Sequence, residues 1–121
     1  MNSKNRQLFD LAGQALGRAG RLRASVAMFE RSLAQDPNAI NSRLGLVVAL
    51  FLGRRHEAAV PHLRRLLDLL PTDKRILRYA IQAGKLGGDP GLARRALALL
   101  EEHHPALALP ARRFLGDMAP G

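Results

Sequence analysis

The 121-residue chain has no cysteine, which excludes disulfide scaffolds, thiolate metal sites and thiol chemistry. It has no tryptophan, and aromatic residues make up only 4%. A core drawn from Leu, Ala and Val favours packed helices over a sheet of aromatic and β-branched residues. Long apolar runs are missing too. The longest, 44–52, is broken by Gly45 and reaches less than half of a membrane span, so direct membrane insertion is not expected. Residues 1–8 are polar and lack the apolar core of a signal peptide. The default expectation is a cytoplasmic protein, or a domain of a larger one. Carboxylates are few, 10 against 19 Lys and Arg, for a net charge of +9. Lysine is scarce as well, at positions 4, 74 and 85 only. An Arg-, Ala-, Leu- and Gly-rich composition is what a GC-rich genome encodes, but the same charge suits acidic partners or nucleic acid.

Catalytic signatures are equally sparse. No Gly-rich phosphate loop, nucleophile elbow or metalloprotease helix occurs. His56 and His62 are six apart and do not share a helix face, and the adjacent His103 and His104 diverge. The carboxylates are scattered, and none stands at ligand spacing from a histidine pair. The expectation is a protein that is not an enzyme and carries neither metal nor cofactor.

What is present is a period. Pro37, Pro71 and Pro105 stand 34 residues apart (71 − 37 and 105 − 71). Each follows an amphipathic run, and Asn38 and Thr72 supply cap-type residues after the first two. Proline ends one helix, and a polar residue then starts the next. Glycine breaks fall midway, at Gly20, Gly53 and Gly87-Gly88, where they permit tight turns between antiparallel helices. Asp89-Pro90 reads as a helix cap followed by proline at the first helical position. The spacing predicts helices near 5–19, 22–35, 39–52, 57–69, 73–86, 90–103 and 108–118. Pro61 is expected in the first turn of the fourth, where its missing N–H is harmless.

The residues at these turns resemble the tetratricopeptide repeat family. Phe9, Ala12-Gly13, Leu16, Gly20, Leu22, Phe29, Leu33 and Pro37 stand where that family places its large and small packing residues, with Ser25 and Ser32 for its usual alanines. Ala59, Leu63, Leu66, Leu67 and Pro71 continue the pattern, as do Ala80, Ala93, Leu97, Leu100 and Pro105. Val47 departs from it, and the second turn glycine is displaced by one. The resemblance implies an all-α, right-handed solenoid of antiparallel helix pairs with about seven helices. It divides the chain into a disordered start (1–5), three repeats (6–38, 39–72, 73–105), a capping helix or truncated fourth repeat (106–118) and a tail (119–121).

It also implies a protein-binding scaffold, a module of a larger bacterial complex, whose first helices line a concave groove. Helical spacing nominates Gln14 and Arg18, with Asp10 and Gly17, from the first repeat. The second offers the apolar stripe Leu44, Val48 and Phe51, with Leu52 beside it. The third offers the polar and cationic row Arg75, Arg78, Gln82 and Lys85. Whether the stripe is groove or core is open at this point. An apolar floor with a basic wall suits an amphipathic or acidic partner segment. The family's carboxylate-clamp form wants Lys and Asn where Asp10 and Gln14 stand; only Arg75 fits it. Two alternatives are a basic nucleic-acid-binding repeat, short of stacking aromatics, and a homo-oligomer through terminal residues such as Leu107, Leu109, Phe114 and Leu115.

Overall fold

The computed structural model describes residues 3–116. Seven α-helices make up these residues: α1 (Ser3–Arg18), α2 (Leu22–Gln35), α3 (Ile40–Leu52), α4 (His56–Leu69), α5 (Lys74–Leu86), α6 (Pro90–His103) and α7 (Ala108–Leu115). A 3-10 turn, Pro105–Leu107, precedes α7. No strand occurs among the described residues. α1 begins two residues ahead of its expected start, so residues 3–5 are helical and not disordered. Residues 1–2, the expected last residues of the seventh helix (117–118) and the tail 119–121 lie outside the described residues.

The 34-residue period is built into the backbone. Helices start at 22, 56 and 90, and at 40, 74 and 108, each step being 34 (56 − 22, 74 − 40). The N–H groups of Arg21, Arg55 and Asp89 donate to the carbonyls of Leu16, Leu50 and Gly84 at 2.9, 2.8 and 2.8 Å. These six-to-one bonds close helix ends that need one residue in the left-handed region. That residue is Gly20, Arg54 and Gly88 in turn, with φ of 77°, 57° and 78°. The second turn therefore uses Arg54 and not the expected Gly53, at a steric cost of about 1 kcal/mol. The other set of turns repeats as well. Asp36, Leu70 and His104 donate to Ser32, Leu66 and Leu100, and Ala39, Asp73 and Leu107 donate to Asp36, Leu70 and His104.

Two details differ from expectation. The caps fall one residue later than Asn38 and Thr72. Asp73 accepts from the N–H groups of Arg75 and Ile76, while Ala39 has no side chain to offer. Pro61 sits in the second turn of α4, not the first, because that helix starts at His56; it leaves the Glu57 carbonyl without its i+4 donor. Asp89 caps α6 through Leu92 N–H, with Pro90 at the first helical position, as the sequence predicts.

The chain divides into two compact units, Met1–Arg55 and His56–Gly121, so the division falls between α3 and α4. In unit 1, α2 packs against both α1 and α3. Its pairing with α1 is antiparallel: Ser25 bonds the Gly13 carbonyl (2.6 Å) and Ser32 reaches back toward that of Arg6 (3.5 Å). In unit 2, α5 packs against α4 and α6, with α7 against the ends of α5 and α6. Leu63, Leu66, Leu67, Ile76, Leu77, Leu92 and Leu100 are all fully buried there. Each such side chain contributes about 1.5–3 kcal/mol.

Candidate binding cleft

Unit 1 has a polar lattice inside its core. Ser42 of α3 donates to Asp10 Oδ1 at 2.6 Å, which uses its only proton. Ser32 of α2 then has one proton for two acceptors, the Ser42 oxygen 2.7 Å away and the more distant Arg6 carbonyl. All three buried serines, at 25, 32 and 42, thus bridge helices, where the sequence treats two of them as stand-ins for alanine. Arg6 lies 3.6 Å from the other Asp10 oxygen. Asp10 therefore holds helices together, and its nomination as a groove residue is corrected.

Beside this lattice the Phe29 ring fills the space between α1 and α3. A Cβ on Gly13 would stand 2.9 Å from the ring, and one on Gly45 would stand 2.5 Å from it. Real Cβ atoms do not approach so closely, so both positions must lack a side chain. The two glycines leave an apolar cleft of about 430 Å³ above the ring. Leu44, Val48 and Leu52 wall it along α3, and Gln14, Gly17 and Arg18 along α1, with Asn41 at the rim. Arg18 donates to Gln14 at 3.4 Å, which places both polar groups at one edge.

Of the nominated residues, Gln14, Arg18, Leu44 and Val48 meet here. Phe51 does not; Leu52, one residue on, takes its place and is 61% exposed. The apolar helix α3 thus splits cleanly. Leu46, Val47, Ala49 and Leu50 are core, and Leu44, Val48 and Leu52 form the open row. Sequence reasoning missed Phe29 as the floor and Gly13 and Gly45 as its berth. The available signal was two glycines, 32 residues apart (45 − 13), facing one large aromatic.

Unit 2 carries the cationic row. Arg75, Arg78 and Gln82 line a shallow depression with Tyr79. Arg75 also binds the capping Asp73, 3.3 Å away. Burial pushes the Asp73 carboxyl up, but hydrogen bonds from the Arg75 side chain and from the Ile76 and Arg75 N–H groups outweigh it and leave the pKa lowered. Lys85 is separated from the row. Its ammonium stands 4.7 Å from the Phe114 ring centre and donates to the Phe114 carbonyl, which ties α5 to α7. Arg78 and Gln82 also border a second hollow of about 260 Å³ with Leu107, Pro110 and Phe114.

Among the described residues no group of three or more His, Cys, Asp or Glu side chains could hold a metal ion. Nor is any helix there long and apolar enough to cross a membrane. No family model, curated protein or solved structure matches the chain.

Proposed function

We propose that this chain is a protein-interaction scaffold of tetratricopeptide type, and that the cleft of unit 1 takes an apolar anchor from a partner segment. The observation that supports it is the open row Leu44, Val48 and Leu52 over the Phe29 ring, left apolar while the polar groups gather at one edge. Leu52 is exposed and Leu44 and Val48 are half-buried, so a partner that covered the row would complete the burial of three large side chains. Gln14, Asn41 and Arg18 fix orientation at the rim, and Arg18 favours an acidic residue beside the anchor. In unit 2, Arg75 and Arg78 offer acidic positions of a partner their own cationic surface. A homo-oligomer or a nucleic-acid complex is the competing reading. The cleft favours neither, since phosphate binding asks for charge and a stacking surface rather than an aliphatic trough.

The test is selection of a displayed random-peptide library on the chain and on its Val48→Glu variant. Peptides with a shared apolar anchor and an adjacent acid should be enriched on the parent only, with affinity at least about tenfold weaker for the variant. Equal enrichment on both, or none on the parent, overturns the reading.

A further inference from the structure

α1 carries a second apolar surface, on the side away from α2. Leu8 and Leu11 are 63% and 61% exposed, and Ala15 and Ala19 continue the row in the open. The 34-residue period identifies what this row is. Adding 34 gives Ser42, Gly45 and Ala49 on α3 with its C-cap Gly53; adding it again gives Ile76, Tyr79 and Ala83 on α5 with its C-cap Gly87.

Both equivalent rows are docked on the preceding helix. Ser42 bonds Ser32, Gly45 meets Phe29 and Gly53 approaches Leu22, all on α2. In the same way Gly87 lies against Glu57 of α4 and Ile76 and Ala83 are fully buried, while Tyr79 is half-buried at the edge of the row. In both cases the covering helix is antiparallel, and its residues rise in number as those of the covered row fall. Among the described residues no helix covers the equivalent row of α1, whose helix contacts are with α2 and α3.

Charge selects the occupant. Lys4 stands one turn before Leu8, and Arg18 one turn after Ala15. The lone carboxylate of α1, Asp10, is turned inward to Ser42 and Arg6. A second copy of this chain would bring its own +9 to the same basic edges. We infer that the Leu8–Leu11–Ala15–Ala19 row binds an acidic, amphipathic helix of a partner protein, laid antiparallel on α1 as α4 lies on α5.

The size pattern large, large, small, small matches the α5 row more closely than the α3 row, so α4 supplies the template for a probe. The probe is a synthetic peptide with the α4 sequence, residues 56–69, in which the outward Arg64 and Arg65 are both replaced by Glu. The unmodified sequence, whose two Arg are balanced by Glu57 and Asp68, is the control without net charge. Amide-resolved NMR titration of the full chain should show shifts along α1 with the acidic peptide, with affinity at least about tenfold weaker for the control. The Leu8→Glu/Leu11→Glu double variant should lose the binding and keep its helix content, because both side chains are already exposed. Should it unfold, Leu11→Glu alone carries the same comparison. Val48→Glu should leave this binding unchanged, which separates it from the cleft of unit 1. Shifts confined to that cleft, no binding at all, or a dimer abolished by Leu11→Glu would overturn the inference.

Discussion

At positions 25, 32 and 42 unit 1 buries serines; 34 residues on, at 59, 66 and 76, unit 2 buries Ala, Leu and Ile. Backbone and helix boundaries are the same at these sites, so the contrast isolates side-chain chemistry. Unit 2 gains about 1.5–3 kcal/mol for each large aliphatic and confines its polar links to the rim. Those links include Arg64 with Asp89, Arg95 with Asp68, Arg112 with Glu101, His104 with the Thr72 carbonyl and Lys85 with that of Phe114. They are partly exposed, and such pairs contribute little to stability. Unit 1 gives up some apolar burial for directional bonds between helices, which hold three helices to one register. In unit 2, α5 and α6 are capped by Asp73 and Asp89, although α7 begins at Leu107 without a side-chain cap, as α2 and α3 do at Arg21 and Ala39. A unit with dry packing and good caps tolerates local damage. A unit built on one ring and a hydroxyl chain does not.

The sharpest way to break this contrast is Phe29→Ala. Removing the ring from its berth between Gly13 and Gly45 should cost about 3–5 kcal/mol. Tyr79, the only tyrosine, lies in unit 2 and no tryptophan competes with it. In the variant, helix loss by circular dichroism should therefore begin at lower urea than the Tyr79 fluorescence change. Coincident transitions would mean that the units unfold as one body.

A smaller effect probes the lattice. Ser42→Ala should destabilise by about 1–3 kcal/mol, since it leaves the Ser32 hydroxyl only the Arg6 carbonyl at 3.5 Å and removes a donor from Asp10. Adding Ser32→Ala should then cost little, giving a coupling of about 0.5–3 kcal/mol in a double-mutant cycle on urea midpoints. Strictly additive losses would show that the serines are merely small.

The smallest effect belongs to the rim of unit 2. The Arg64 guanidinium, followed by Leu92 N–H, holds the Asp89 carboxyl below its ordinary pKa of 3.8. The folded state thus prefers the ionised form. Its contribution is full above that value and is lost as pH falls through the lower folded pKa. Asp89→Ala should cost about 1 kcal/mol near neutrality, and the gap to the parent should shrink in acid below pH 3.8. A gap that persists there would assign the loss to packing instead of the carboxylate.

The helices were legible because proline and glycine act locally, each on the backbone of its own turn. The same locality explains the misses. Arg54 occupies a left-handed position through the turn's hydrogen bonds, and those override its own preference. Asp73 outcompetes Thr72 because the cap belongs to the residue whose carboxylate reaches Arg75 and Ile76 N–H. Half of the nominated site depended on one helix face and could be read from spacing, as with Leu44 and Val48. The rest depended on what stands opposite. Nothing along α1 reveals that Asp10 meets Ser42, and nothing along α5 reveals that Lys85 meets Phe114.

The turns at 20, 54 and 88 make the main chain interchangeable: it enters and leaves 21–54 and 55–88 in the same state. Main-chain geometry would let such a segment be duplicated and respliced without disturbing any downstream turn. The hydroxyl chain would not survive it intact. In a duplicated 21–54, the copied Ser42 would look 32 residues back and find Leu44 where the original finds Asp10. Its proton would lose the carboxylate and keep only the hydroxyl of the copied Ser32. The Asp10–Ser42 bond therefore belongs to α1 and α3 as a pair and would not be copied with the segment.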